Sequence, residues 1–256
     1  GKVTINGTGG SGSSDNYGVD VVDANSLVTT TGTGDLSITG VAGPGTGGNL
    51  IGVEIRVTST VSSTGGGKVS VNGTGGSSTT FNAGVIVTNA TVSSNAGDIT
   101  FTGHGGTGSG FAQIGINIDT GADITATGNA KISINGTSGV GSTDSYGVGF
   151  ESSNVAGTTV SSVNGDITVT GVSTDTTGQR NSGVRFEDSV GATAFLLNTT
   201  GAGNLNVTGT AGNNDPTSFG IQFAEDALLT LSGTSNTFIA DRIEIATSGF
   251  SRIWRR

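Results

Sequence analysis

The sequence predicts an all-β protein, a right-handed parallel β-helix (β-solenoid) with three strands per coil and about seven coils of about 33 residues. Three observations support this fold class. Nearly the same ten residues occur at 1–10 (GKVTINGTGG), 67–76 (GKVSVNGTGG) and 130–139 (AKISINGTSG). Two further apolar motifs recur between these stretches at matching intervals, and turns rich in Gly, Ser and Asn separate the motifs. Short strands that repeat at a fixed period are typical of a chain wound into stacked coils.

The first strand of each coil is predicted from seven related copies, written G-[KD]-[VIL]-[TS]-[IVF]-[NT]-G in most of them. Apolar and polar residues alternate within each copy, as in a strand with one buried face. Successive copies follow one another at a nearly constant interval, which lengthens slightly in the last coils. The first apolar residue of each copy is Val3, Leu36, Val69, Ile99, Ile132, Ile167 and Leu205.

The second strand is predicted from a glycine followed by apolar residues. The seven copies are YGVDV (17–21), IGVEI (51–55), AGVIV (83–87), IGINI (114–118), YGVGF (146–150), SGVRF (182–186) and FGIQF (219–223). The step from the first apolar residue of a coil to this glycine is almost invariant, as from Val3 to Gly18 and from Leu36 to Gly52. We expect this glycine column to mark a bend or a close backbone approach that side chains would block. Such regular spacing also argues against a disordered Gly/Ser-rich chain.

The third strand completes the coil and sets the domain boundary. Its copies are LVTTT (27–31), TVSST (60–64), TVSSN (91–95), DITAT (123–127), TVSSV (159–163), LLNTT (196–200) and LLTLS (228–232). The repeats therefore occupy residues 1–235, and residues 236–256 are predicted to form an incomplete terminal coil with a basic tail. Neither terminus shows an obvious cap, and the chain starts at Gly1, so we expect a piece of a longer solenoid.

Stacking of the coils predicts continuous columns of side chains. Two inward columns come from the first strand, and the second of them is Ile5, Ile38, Val71, Phe101, Ile134, Val169 and Val207. The second strand supplies Val19, Val53, Val85, Ile116, Val148, Val184 and Ile221. The residue before the first strand alternates in charge along Lys2, Asp35, Lys68, Asp98, Lys131, Asp166 and then Asn204. Opposite charges on adjacent coils avoid like-charge stacking and favour the correct register.

Composition narrows the possible partners. The chain has a formal net charge of −9, which disfavours nucleic acid as a partner. Its basic cluster, Arg252, Arg255 and Arg256, is interpreted as a frayed or cut boundary. No apolar run is long enough to predict a membrane span. The chain contains no Cys, so it forms no disulfide and no thiolate metal site.

The seven strand motifs and the Gly-Val strands resemble the passenger repeats of large bacterial exoproteins of the filamentous-haemagglutinin type, and of related β-strand-repeat surface proteins. The resemblance covers residues 1–235. It implies a right-handed triangular β-helix, export to the extracellular face of a bacterial cell, and an adhesive or stalk role. The N-terminal secretion module of that family has no counterpart in these 256 residues, so a secretion route is not implied.

Several residues could support catalysis or metal binding, and each also has a simpler structural interpretation. The tripeptide Gly103-His104-Gly105 also occurs in polygalacturonases, but glycosidic hydrolysis usually needs two positioned carboxylates, and no Asp pair adjoins His104. We expect His104 to be an ordinary repeat residue, and we expect no catalytic residues and no cofactor. Calcium is kept as an alternative ligand because oxygen-rich loops can bind it. The acidic residues considered are Asp15, Asp144, Glu187–Asp188 and Glu225–Asp226, which we interpret as solvated turn carboxylates.

Three surface features were considered for binding. The outward polar ladder contains Thr4, Ser37, Ser70, Thr100, Ser133, Thr168 and Asn206, and flat hydroxyl arrays occur in ice-binding solenoids. The sequence Asn-Gly-Thr at Asn6, Asn72 and Asn135 is a formal glycosylation acceptor, which we interpret as a strand-ending turn. Coils five and six are lengthened at 151–159 and 187–196, and a local ligand site is expected there if the chain has one.

The sequence therefore predicts a non-enzymatic segment of a large exported bacterial surface protein that acts as stalk, adhesin or matrix component. Host-cell or matrix glycans and further solenoid segments, stacked end to end, are the expected partners. The alternatives are a β-helix protein that binds or acts on polysaccharides, a fibre-forming assembly protein, and an ice-binding solenoid.

Overall fold

The computed structural model describes residues 1–152, 157–188, 195–224, 228–232, 235–246 and 252–255. These residues form three sheets of eight parallel strands, and no helix occurs among them. Each turn of the chain adds one strand to each sheet, at the period expected from the sequence. The predicted parallel β-solenoid with three strands per coil and about seven coils is therefore confirmed.

The strands are numbered in chain order, and every third strand belongs to the same sheet. Sheet one contains β1 (Val3–Thr8), β4 (Leu36–Val41), β7 (Val69–Thr74), β10 (Ile99–His104), β13 (Ile132–Thr137), β16 (Ile167–Val172), β19 (Asn204–Thr210) and β22 (Ser235–Ala240). Sheet two contains β2 (Val19–Val21), β5 (Val53–Arg56), β8 (Val85–Thr88), β11 (Ile116–Asp119), β14 (Val148–Ser152), β17 (Val184–Asp188), β20 (Ile221–Phe223) and β23 (Ile243–Ile245). Sheet three contains β3 (Leu27–Thr30), β6 (Thr60–Ser63), β9 (Thr91–Ser94), β12 (Asp123–Ala126), β15 (Thr159–Ser162), β18 (Phe195–Thr199), β21 (Leu228–Ser232) and β24 (Arg252–Arg255).

The inward columns predicted from the sequence form the core. Leu36 and Ile38 are fully buried in β4, whereas Ser37 between them is partly exposed. The same register continues from coil to coil in sheets one and two. In the later coils, the rings of Phe150 and Phe186 stack 4.9 Å apart inside the solenoid. A repeated β-branched and aromatic pattern with a period of two thus fills one continuous interior.

The alternating charges before the first strands lie on adjacent coils, as predicted. Lys68 Nζ lies 3.7 Å from Asp98 Oδ2, and Lys131 Nζ lies 3.6 Å from Asp166 Oδ2. Both lysines are well exposed, so each ion pair contributes about 0–1 kcal/mol. Each aspartate also accepts a hydrogen bond from the main chain of the following coil; Asp98 Oδ1, for example, accepts the Lys131 N–H at 3.0 Å. We call this arrangement the charge ladder.

The glycine column coincides with a close approach of main-chain segments, both within one coil and between adjacent coils. A Cβ atom on Gly18 would lie 2.6 Å from the Gly52 carbonyl oxygen. A Cβ atom on Gly40 would overlap the same oxygen. The sequence therefore predicted correctly that side chains are excluded here, and the sheet-one glycines that face this column share the constraint.

An inward column of hydroxyl-bearing residues lines the turn from sheet three to sheet one, and sequence reasoning had not assigned it. Ser94 Oγ accepts the Gly97 N–H at 3.1 Å, and Ser162 Oγ donates to the Ala130 carbonyl at 2.8 Å. Both side chains are buried. They satisfy main-chain groups that the turn would otherwise leave unpaired.

The segments that join sheets one and two stack into an additional layer, which we call the loop wall. It comprises residues 9–17, 42–51, 75–83, 105–114, 138–146, 173–182 and 211–219. The loop wall covers the outer face of sheet two, where Ile86 of β8 packs with Ile51, Ile114 and Tyr146 in a second apolar cluster. Buried amides join successive loops; Asn82 Nδ2, for example, donates to Gln113 Oε1 at 2.7 Å.

Residues 236–256 supply most of β22 and all of β23 and β24, one strand in each sheet. Residues 252–255 pair with 228–231, so this part of the basic tail is a strand and not a frayed end; Arg256 lies outside the described residues. Asp241 Oδ2 accepts the Ala211 N–H at 3.2 Å, and the Arg242 guanidinium donates to the Asp215 carbonyl at 2.6 Å. These two side chains cap the loop wall at an end where the sequence showed no obvious cap.

Candidate functional site

The candidate site is a cluster of charged and aromatic side chains on the outer face of sheet two at coils five and six. We call it the Arg185 cluster, and its members are Asp144, Tyr146, Glu151, Arg180, Arg185 and Glu187. Asp144, Tyr146 and Arg180 come from the loop wall, Glu151 from β14, and Arg185 and Glu187 from β17. The lengthened segments 151–159 and 187–196 begin at this cluster, although residues 153–156 and 189–194 lie outside the described residues.

Arg185 is the centre of the cluster. Its side chain is only 10% exposed, with Nη1 3.3 Å from Asp144 Oδ1 and Nη2 2.8 Å from Glu187 Oε1. Its guanidinium carbon lies 5.4 Å from the centroid of the Tyr146 ring, within the range of a cation–π contact. A buried guanidinium requires such partners, because an unpaired charge at this depth would be costly.

Tyr146 lies across a gap in the outer face of sheet two. Gly149 occupies the outward position of β14, and a Cβ atom there would lie 3.0 Å from Tyr146 Cε2. The ring therefore covers the glycine, and its hydroxyl donates to Glu151 Oε1 at 3.0 Å. Burial raises the pKa of Tyr146 well above its usual value.

Glu151 is a carboxyl held among other acidic groups. Burial raises its pKa, and the neighbouring charges of Asp119 and Glu187 act in the same direction. Glu187 is in direct register with it on the next coil. Hydrogen bonds from Asn117 Nδ2, at 3.0 Å, and from Tyr146 oppose this effect and lower the pKa.

A related cluster, the Arg56 cluster, occupies the same face at coils one and two. Arg56 Nη2 lies 2.8 Å from Asp20 Oδ2, its Nε lies 3.1 Å from Glu54 Oε2, and its guanidinium carbon lies 5.7 Å from the centroid of Tyr17. Burial raises the pKa of Glu54 to about 7, although the charge of Arg56 lowers it. The Arg56 side chain is 34% exposed, so this cluster is more open than its counterpart.

Equivalent loop positions hold both clusters at the surface. Asp15, Asn49, Asp144 and Arg180 all have left-handed φ values, of 58°, 62°, 57° and 55°. In the Arg56 cluster, Asn49 Nδ2 donates to Asp15 Oδ1 at 3.0 Å. In the Arg185 cluster, Arg180 Nη2 lies 2.6 Å from Asp144 Oδ2. The repeated backbone geometry thus presents an amide in one cluster and a guanidinium in the other.

The exposed atoms of the Arg185 cluster define what it can do. Arg180 and Glu187 are 53% and 42% exposed, whereas Tyr146 is buried and offers no free ring face. Arg180, Asp144 and Glu187 together provide charged donors and acceptors suited to hydroxyl-rich or ionic ligands. The carboxylates are tied to arginine, tyrosine or asparagine partners, an arrangement that stabilises a surface more directly than it supports proton transfer.

His104 lies at the exposed end of β10, in register with Thr74 and Thr137 of the adjacent coils. The structure thus places it in the column predicted from the repeats. The outward ladder from Thr4 to Asn206 is also in register along sheet one. The Asn-Gly-Thr segments lie within β1, β7 and β13, so the expectation that they form strand-ending turns is wrong.

The acidic residues considered for calcium are scattered. Asp144 is 18% exposed and pairs with two arginines, so it is not the solvated turn carboxylate expected from the sequence. Asp15 is exposed, and the pKa of its carboxyl is lowered, chiefly by the hydrogen bond from Asn49. Glu187 pairs with Arg185, Glu225–Asp226 lie outside the described residues, as does the side chain of Asp188. Across the described ranges, no group of three or more His, Cys, Asp or Glu side chains is arranged to hold a metal ion.

Sequence reasoning located the lengthened coils but missed Tyr146, Glu151 and Arg185 as a group. The available signal was the Asp-x-Tyr-Gly-Val sequence at 15–19 and 144–148, followed one coil later by an arginine in the second strand. No protein-family model, curated protein or solved structure matches the chain. Within the part of the chain that the structure describes, no helix is long and apolar enough to cross a membrane.

Proposed function

We propose that this chain is a rigid structural or adhesive segment of an exported bacterial cell-surface protein. The observation that carries the proposal is the continuity of three eight-stranded parallel sheets around one core. Because every coil is hydrogen-bonded and packed to the next, bending the rod would break contacts in three sheets at once. A solenoid of this kind suits a stalk that holds a binding surface away from a cell.

The adhesive part of the proposal assigns the contact to the Arg185 cluster. Arg180, Asp144 and Glu187 present charged hydrogen-bonding groups next to the two lengthened coils. Such groups bind the hydroxyl and carboxylate groups of glycans, which are the ligand class we propose. The buried Arg185 and Tyr146 would keep these groups in place.

A glycan array with and without calcium tests this role, together with an assay for reducing ends released from the same polysaccharides. The informative variant is Arg180→Gly, and Asn49→Gly is its matched control because both residues have a left-handed backbone. We expect binding to a defined sugar class that falls at least about tenfold in Arg180→Gly and is unchanged in Asn49→Gly. Equal loss in both variants would contradict the assignment to the Arg185 cluster, and release of reducing ends would contradict the non-enzymatic role.

Absence of glycan binding would leave the structural role, which has its own test. Small-angle X-ray scattering of the purified chain should match the envelope of eight coils stacked at about 4.8 Å, and that envelope should not change between low and high salt. A salt-dependent envelope would contradict a rigid segment.

A second candidate role, ice binding, is favoured by the regularity of the outer face of sheet one. Its outward polar residues stay in register over seven coils, with adjacent strands about 4.8 Å apart. Thermal hysteresis at millimolar protein concentration would support it. Freezing behaviour identical to that of a protein without a repeated polar face would exclude it.

A further inference from the structure

The chain contains four Asn-Gly pairs, and the fold places one of them differently from the other three. Asn6, Asn72 and Asn135 lie inside strands of sheet one, in β1, β7 and β13. The fourth pair, Asn164-Gly165, lies in the turn between β15 and β16. Asn164 is exposed in this turn, whereas Gly165 is buried. The same dipeptide thus occurs in two different environments within one chain.

An asparagine that precedes glycine can react with its own main chain, because glycine has no side chain to shield its nitrogen or to restrict its rotation. The glycine nitrogen loses its proton to the solvent and attacks Cγ of the asparagine. The new N–C bond closes a five-membered succinimide ring, and the Cγ–Nδ2 bond breaks with release of ammonia. Water then opens the ring at either carbonyl and leaves aspartate or isoaspartate. The reaction needs no oxidant, reductant or cofactor, but the main chain must rotate until the nitrogen faces Cγ.

The strands prevent that rotation at Asn72 and Asn135. Both residues lie in strands paired on two sides, β7 with β4 and β10, and β13 with β10 and β16. The glycine that follows is also tightly packed, since a Cβ atom on Gly73 would overlap the Gly84 carbonyl oxygen. Reaction at either asparagine therefore requires local opening of the sheet first.

The turn at Asn164 favours the reaction. Its side chain is exposed, so ammonia can leave into solvent and water can reach the ring. Its Oδ1 accepts the N–H of Ala202 from the next coil at 3.3 Å. Negative charge develops on this oxygen when the nitrogen attacks Cγ, and a main-chain donor already directed at the oxygen stabilises that charge. We infer that Asn164 is a site of spontaneous deamidation, where the Gly165 nitrogen converts the side chain to aspartate or isoaspartate through a succinimide.

The two products differ in their effect on the turn. Aspartate keeps an oxygen for the Ala202 N–H but adds a negative charge close in sequence to Asp166, which pairs with Lys131. Isoaspartate lengthens the main chain before Gly165. A Cβ atom on Gly165 would already overlap the Ala130 carbonyl oxygen, so the longer main chain must displace the start of β16. Deamidation is thus an age-dependent mark at the junction of coils five and six, and it does not depend on the role proposed above.

The test follows deamidation in the complete chain. The protein is incubated in mildly alkaline buffer made with heavy-oxygen water, because ring opening inserts one oxygen atom from the solvent. Peptide mapping by mass spectrometry gives the labelled fraction at Asn72, Asn135 and Asn164 over time. The same incubation in urea gives the rate of each Asn-Gly pair without the fold. Asn164→Gln is the control for assignment, because the longer side chain cannot form the five-membered ring.

We expect label at Asn164 to accumulate at least about tenfold faster than at Asn72 or Asn135 in the folded chain, since the latter two need local opening. In urea the three rates should converge. Folded-state rates at Asn72 or Asn135 equal to that at Asn164 would overturn the inference, as would an Asn164 that labels in urea but not in the folded chain. Rates that still differ tenfold in urea would assign the contrast to neighbouring sequence and not to the fold. Label that persists in this peptide of Asn164→Gln would overturn the assignment to Asn164.

Discussion

Replacement of Gly73 by alanine tests the close approach between sheets one and two. A Cβ atom on Gly73 would overlap the Gly84 carbonyl oxygen and lie 2.6 Å from its carbonyl carbon and 2.8 Å from Val85 Cγ2. Ordinary contact would require the backbone to move by about 1 Å, more than hydrogen bonds near 2.9 Å tolerate. Overpacking contributes about 1–3 kcal/mol and each broken hydrogen bond about 1 kcal/mol, so we expect a loss of about 3–5 kcal/mol.

The control is Gly66→Ala in the same stretch of chain. A Cβ atom there would meet only Thr33 Cγ2, at 3.8 Å, so the substitution should be neutral or stabilising by up to about 1 kcal/mol. The free energy of unfolding from urea titration compares the two variants, and amide exchange in β7 reports local loosening. The close-approach argument fails if Gly73→Ala lies within about 1 kcal/mol of Gly66→Ala.

Three further predictions concern a turn, a carboxyl group and a misplaced amide. Val57 and Thr58 form a turn with left-handed φ values of 56° and 59°, which asparagine and glycine adopt at lower cost than valine and threonine. The double change Val57→Asn/Thr58→Gly should therefore raise the free energy of unfolding by about 1–3 kcal/mol. An unchanged midpoint in urea titration would contradict this. Burial raises the pKa of Glu54 to about 7 from 4.5, so the folded state binds the proton more tightly, and the free energy of unfolding should fall as pH rises from about 4.5 to about 7. Glu54→Gln should reduce that fall. Identical pH profiles of the unfolding free energy for the variant and the unchanged chain would refute the assignment of the pH dependence to Glu54. Asn236 continues the column of Leu205, and its side-chain amide has no hydrogen-bond partner among the described residues. Asn236→Leu should therefore raise the free energy of unfolding, measured by urea titration, by about 1–2 kcal/mol. A decrease would show that the amide has a partner.

Sequence predicted the repeating part of this molecule well because each repeat is local and each coil copies its neighbour. Alternation around Val3 and Ile5 identified a strand with one buried face, and its recurrence identified the stacking register. The Gly18 column was also predictable, since all seven copies of the second-strand motif have glycine at this position. These features depend on periodicity alone.

The remainder depended on how the loops fold back onto the sheets. Tyr146 and Arg185 belong to different coils and meet because the loop wall lies over sheet two. The burial of Ser94 and the capping role of Arg242 depend on main-chain groups whose positions no side-chain pattern shows. Long-range contacts of this kind carry no period and so escaped prediction.

The charge ladder also constrains how a chain of this type can change length during evolution. Loss of coil three alone would bring Asp35 next to Asp98, and duplication of one coil would place like charges on neighbouring coils. Loss or gain of two coils keeps each aspartate between a lysine ammonium and a main-chain amide. Recombination in steps of two coils would therefore preserve the ladder, whereas single-coil steps would each introduce one repulsive contact.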